Sequence, residues 1–174
     1  MRKIFLVATC MMLACSQLCG CDNNTSKEKA GSVGGRMIEP AMILTKEDAK
    51  ALTGVSFGEC TIKEEPRVGL KLCVYEKDGV FLQVGLTQMA FMDKKSREGG
   101  TTPVSIFKAT KGAIQDAAKF DGVGDDNFLM PPGLHILQGQ YYMTVSFGLM
   151  DKDKEKLQGA GMKAVANLSK YAAQ

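Results

Sequence analysis

The stretch Asp78-Gly79-Val80-Phe81-Leu82-Gln83-Val84-Gly85-Leu86-Thr87-Gln88 decides the fold. Asp-Gly is a strong two-residue hairpin signal, because the favoured turn needs positive φ at both central positions. After it Val80, Leu82, Val84 and Leu86 share one side, with Gln83 and Thr87 on the other. That period of two is the mark of a half-buried antiparallel strand. Two further extended segments precede the turn, Phe57 to Glu64 and Leu70 to Lys77, with Pro66 and Gly69 punctuating the link between them. Upstream, Thr45-Lys46-Glu47-Asp48 opens a helix with Thr45 as N-cap and two acids placed to favour the positive helix end. Gly54 closes it at the position after the last helical turn.

The same order then repeats. Ser105 to Lys119 predicts a helix, with Ile106, Ala113 and Ala117 beside Phe107, Ile114 and Ala118 as its apolar stripe. Three extended segments follow, around Asp126 to Met130, Leu134 to Leu137, and Tyr141 to Met150. The last alternates Met143, Val145, Phe147 and Leu149 with Thr144, Ser146 and Gly148. The turn glycines Gly79 and Gly139 lie 60 residues apart, as do the helix starts Thr45 and Ser105, a spacing compatible with duplication. A closing helix from about Asp153 to Ala172 puts Leu157, Gly161, Ala164, Val165, Leu168 and Ala172 on one face. Gly159 and Gly161 each cost about 1 kcal/mol against alanine inside a helix, so they imply close approach to the sheet or a late helix start. The expectation is an α+β domain over residues 38–174: an antiparallel sheet of about six strands packed with helices, as two helix-plus-three-strand units and a C-terminal helix.

The N-terminal residues read as an address. Arg2 and Lys3 precede the apolar run Ile4 to Cys15, which has the layout of an export signal and is shorter than the roughly 20 apolar residues of a membrane span. Leu18-Cys19-Gly20-Cys21 then resembles the lipobox of bacterial lipoproteins: an aliphatic residue, two small ones and the cysteine whose thiol takes the lipid. The resemblance implies a signal peptide over 1–20, cleavage after Gly20 and acylation of Cys21, palmitate included. Met12-Leu13-Ala14-Cys15 is a weaker second match. Residues 21–37 are polar and glycine-bearing, too poor in apolar groups to fold, and read as a flexible tether. The fourteen residues Asp22 to Gly35 have a root-mean-square reach of about 20 Å. In enterobacteria an aspartate after the lipidated cysteine marks inner-membrane retention, so Asp22 hints at that location, while inner or outer membrane stays open.

Charge narrows the partners. The 174 residues carry 22 Lys+Arg and 19 Asp+Glu, a net charge of +3, and loss of residues 1–20 leaves 20 against 19, or +1. Nothing in that balance favours nucleic acid or an electrostatic membrane patch, and the acyl chains would supply membrane affinity.

Few residues are equipped for chemistry. Cys60 and Cys73 are the mature cysteines besides the anchor, and in an exported protein they are expected to pair across the first hairpin. His135, the single histidine, lies between Leu134 and Ile136 in a strand and reads as exposed or capped there. Catalytic use of His135 in a small envelope hydrolase is the alternative. A copper reading through Met130, Met143 and His135 competes with packing of Met143 in the core. Asp121-Gly122-Val123-Gly124-Asp125-Asp126-Asn127 fails both the calcium-loop and the dinucleotide patterns and predicts a tight turn into a strand, with Asp125 and Asp126 solvated or capping.

The segments Leu44-Thr45-Lys46-Glu47-Asp48-Ala49, Cys73-Val74-Tyr75 and Gly122-Val123-Gly124-Asp125-Asp126, followed by a hairpin and a helix, are similar to small bacterial lipoproteins of unknown function with a PsbP/Mog1-like α+β sandwich. That resemblance implies a binding or accessory module and brings no catalytic residues. The functional expectation is thus a non-enzymatic, lipid-anchored envelope protein that binds another envelope protein or a small apolar ligand, without cofactor or metal.

Overall fold

The computed structural model describes residues 36–147 and 153–173. The signal, Cys21 and most of the tether, with Gly148, Leu149 and Met150, lie outside the described residues. Pro40–Ile43 forms a short helix, α1, ahead of the first expected one. Thr45 then accepts the Asp48 amide while the Asp48 carboxylate accepts the Thr45 amide, a reciprocal cap that starts α2, Lys46–Thr53. Gly54 ends it at φ 79°.

Three antiparallel strands follow: β1 (Thr61–Glu65), β2 (Leu70–Lys77) and β3 (Val80–Thr87). Asp78 and Gly79 turn between the last two at φ 52° and 77°, as the hairpin motif requires. The first strand is shorter than the sequence predicts. Phe57 leaves the strand line to pack on Tyr75 at 5.9 Å between ring centroids, and Cys60, just before β1, stands at disulfide distance from Cys73 on β2.

A five-residue helix, α3 (Lys94–Glu98), is capped by Asp93. The next helix, α4, spans Pro103–Gly112 and not Ser105–Lys119. Its start moves forward because Thr102 and Ser105 cap each other and Pro103 suits the first turn. Its end moves back because residues 117–120 are recruited to the sheet edge: Ala118 accepts the Leu129 amide at 2.8 Å, and Asn127 holds both backbone groups of Phe120. Then come β4 (Asp126–Met130), β5 (Gly133–Gln138), β6 (Tyr141–Phe147) and α5 (Lys154–Ala172). Among the described residues no helix is long and apolar enough to cross a membrane.

The six strands form one antiparallel sheet in the order β1-β2-β3-β6-β5-β4. The two three-strand units meet where β3 pairs β6, with Val84 opposite Val145 and Leu86 opposite Met143. One face of the sheet, here the inner face, carries Leu82, Val84, Leu86, Leu134, Ile136, Met143 and Val145 against α1, α2 and α5. The outer face is covered over β5 and β6 by α4, around Phe107, Phe128 and Tyr142. The strand order is two-fold symmetric about β3 and β6, and such an axis would keep equivalent helices on one face. Because α2 and α4 lie on opposite faces, the 60-residue repeat concerns order along the chain and not packing.

The inner face of α5 buries Leu157, Ala160, Gly161, Ala164, Asn167 and Leu168. Ala172, expected on that face, is exposed, and Val165 is half-buried. The two helix glycines differ in kind. A methyl group at Gly161 would stand 2.6 Å from Leu134 Cδ2 and 2.9 Å from Val123 Cγ1, whereas one at Gly159 would meet nothing within 4 Å. Close approach therefore explains Gly161 alone. Gly159→Ala is expected to stabilise the fold by about 1 kcal/mol through helix propensity, and Gly161→Ala to destabilise it by about 1–3 kcal/mol through overpacking. Urea unfolding of the two variants checks both signs.

Candidate functional site

The sheet brings His135 to a place its sequence neighbours do not announce. Leu134 and Ile136 face inward, so His135 faces outward, but α4 covers that side and leaves the imidazole 4% exposed. It is buried and not exposed, and the group that caps it lies within the fold. Tyr142, on the neighbouring strand, places its hydroxyl 2.6 Å from His135 Nδ1. Phe128 stacks on the ring at 4.7 Å with the planes 9° apart, and Phe107 packs against both Phe128 and Tyr142.

Burial pushes the imidazole from its ordinary 6.5 down to about 4. The Met130 carbonyl favours a proton on the ring, yet Nε2 has no partner at hydrogen-bond geometry. The ring is thus neutral at pH 7 and is hydrogen-bonded at Nδ1 to the Tyr142 hydroxyl. Burial also raises the Tyr142 hydroxyl above the usual tyrosine value, so it stays protonated. This is a packing arrangement with one polar contact. A general base must reach both a substrate and solvent, and this ring is sealed from both.

The other candidates separate. Met143 is fully buried on the inner face, across the sheet from His135, so the copper grouping of Met130, Met143 and His135 does not assemble. Among the described residues no three His, Cys, Asp or Glu side chains gather to hold a metal. The glycine-aspartate loop is a structural turn. Asn127 fastens it by donating to the Phe120 and Val123 carbonyls and accepting the Phe120 amide. Asp125 accepts the Gly139 amide at 2.6 Å. Asp126, within β4, is the capping acid and not the solvated one: it accepts the Asn127 amide and pairs with Lys111 and Lys119, and although partial burial raises its carboxyl, the two lysines hold it below the usual range.

Cys60 and Cys73 stand at disulfide distance, with Cα atoms 5.5 Å apart. Cys73 is fully buried between Lys71 and Tyr75 on the inner face of β2. Lys71 was not singled out by its sequence context. Its ammonium is 8% exposed, bonds Glu39 at 2.6 Å and Glu64 at 3.2 Å, and lies 5.2 Å from the Phe91 ring centre. Burial opposes the charge, but the two carboxylates outweigh it and hold the lysine above its ordinary value.

A shallow, open cavity of about 380 Å³ lies where the β5–β6 turn meets the end of α5. Tyr141, Leu168 and Ala172 give it apolar walls, and Gln138, Gln140 and Ser169 give it hydrogen-bonding groups. The volume suits a small ligand. Compared with protein families, curated proteins and solved structures, the chain matches none.

The depressed imidazole has a definite sign in stability. Between pH 6.5 and about 4 the unfolded chain takes up a proton that the folded one refuses, so stability falls as pH falls through that window. At about 1.4 kcal/mol per pKa unit the loss is on the order of 3 kcal/mol. His135→Gln is expected to remove this slope. Urea midpoints of the two proteins across the window check it, and parallel slopes would contradict it.

Proposed function

We propose that this chain is an exported bacterial lipoprotein, acylated on Cys21, whose domain is a non-enzymatic binding or accessory module for an envelope protein or a small apolar ligand. The observation that carries export is the Cys60–Cys73 pair at disulfide distance, since disulfide bonds form and persist in oxidising compartments. It joins the lipobox Leu18-Cys19-Gly20-Cys21 and the polar tether behind it. The domain then faces the periplasm or the cell exterior. The small open cavity beside Tyr141 and Leu168 supports the small-ligand half of this reading. The likeness to lipoproteins with a PsbP/Mog1-like sandwich belongs to the same proposal, and helices on both sides of one antiparallel sheet support it. Burial of His135 weighs against the alternative, a small envelope hydrolase using that ring.

Two measurements test this reading. Cys21→Ser should abolish fatty-acid labelling and release the protein from membranes or block its processing; a variant that stays labelled and membrane-bound contradicts the anchor. Peptide mapping of the native protein without reductant should recover Cys60 and Cys73 in one linked pair of peptides. Free thiols at both positions would contradict export into an oxidising space.

A further inference from the structure

The outer face around His135 holds no free carboxylate, and only the Met130 carbonyl favours a charge on the ring. Phe128 stacks on the ring, and Tyr142 supplies an uncharged hydroxyl. From β6, Thr144 and Ser146 share the face and are uncharged. From β4 the acid on that face, Asp126, is committed to Lys111 of α4 and Lys119 of the following segment. The remaining charged groups of that cover, Lys108 and Asp116, are exposed. A proton on His135 therefore enters a site with no free counter-ion.

The cover over this site packs in a cluster of its own, apart from the main core. Phe107, Phe128 and Tyr142 form their own cluster with Ile106, Ile114 and Ala117 around it, across the sheet from the larger inner core. The helix α4 is ten residues long, preceded by Gly99-Gly100 and ending at Gly112. Lifting it breaks the Lys111–Asp126 pair, hydrates the small cluster and satisfies the charged ring with water, while the larger inner core stays closed.

We propose that α4 and residues 113–116 form an acid-released cover, in which protonation of His135 lifts them from the outer face and bares Phe107, Phe128 and Tyr142. The inner core, α5 and the Cys60–Cys73 link stay folded. The device stands on the fold alone. Its contact with the pH outside the cell rests on the export reading, which the Cys21 experiment tests separately.

Isoleucine methyl NMR on the full chain with its disulfide formed tests the proposal. Ile106 and Ile114 report the cover, and Ile43 and Ile136 report the inner core. On lowering the pH from neutral to about 4, the first pair should move to averaged, solvent-exposed positions while an anilinonaphthalene dye gains fluorescence, and the second pair should hold. His135→Gln, which keeps a hydrogen-bonding partner for Tyr142, should stay closed at the same pH, and His135→Phe, which keeps the stack on Phe128, serves the same comparison. Loss of all four signals together, movement of none, or opening of the neutral variants as readily as the parent would overturn the proposal.

Discussion

The pairing of β3 with β6 is the contact on which the rest of the molecule depends. It turns two separate three-strand meanders into one sheet, in the register Leu82–Phe147 through Thr87–Tyr142. On the inner side this lines up Leu82, Val84, Leu86, Met143 and Val145, all fully buried, each worth about 1.5–3 kcal/mol in buried apolar surface. On the outer side Gly85 faces Thr144, and a side chain at Gly85 would collide with the Thr144 hydroxyl and crowd Leu70. The register thus needs a glycine where the strands meet.

Polar groups fix where the chain joins that sheet. Both backbone groups of Ile38 are held by the Gln88 amide, at 2.9 and 2.7 Å. Glu39 beside it grips Lys71. Asn167 on α5 reaches the Ile43 carbonyl and the Asp48 carboxylate, tying the last helix to the first two. These are buried groups with specific partners, so each would leave an unsatisfied atom if the segment slipped. In the proposed lipoprotein, whatever precedes Ile38 is joined to the central strands through this clamp, and the tether has a rigid root.

The sheet was legible because its decisive signals are local. Alternation over Val80–Leu86 and the Asp78-Gly79 turn need no distant partner, nor do the Thr45 cap and Gly54 stop. What escaped depends on residues far along the chain. Gln88 is buried by Ile38, 50 positions away, and Asn167 by Ile43, 124 away. The helix expected to run to Lys119 breaks early because Asn127 and Leu129 draw residues 118–120 to the sheet edge. His135 follows the same logic. In the run Leu134-His135-Ile136-Leu137 both sides of the strand are covered, and only the placement of α4 says so. The proposed lipobox Leu18-Cys19-Gly20-Cys21, by contrast, is a linear motif read in the chain itself, whereas a binding surface is assembled from separated segments.

Residue-by-residue hydrogen exchange at neutral pH tests the central role of the β3–β6 pairing most directly. The account predicts that amides within 82–87 and 142–147 are the last to exchange and share a single opening free energy, because neither meander keeps its core without the other. Opening of the two strands at clearly different free energies, with β1–β2 or β4–β5 outlasting them, would show two halves that fold independently and would contradict it.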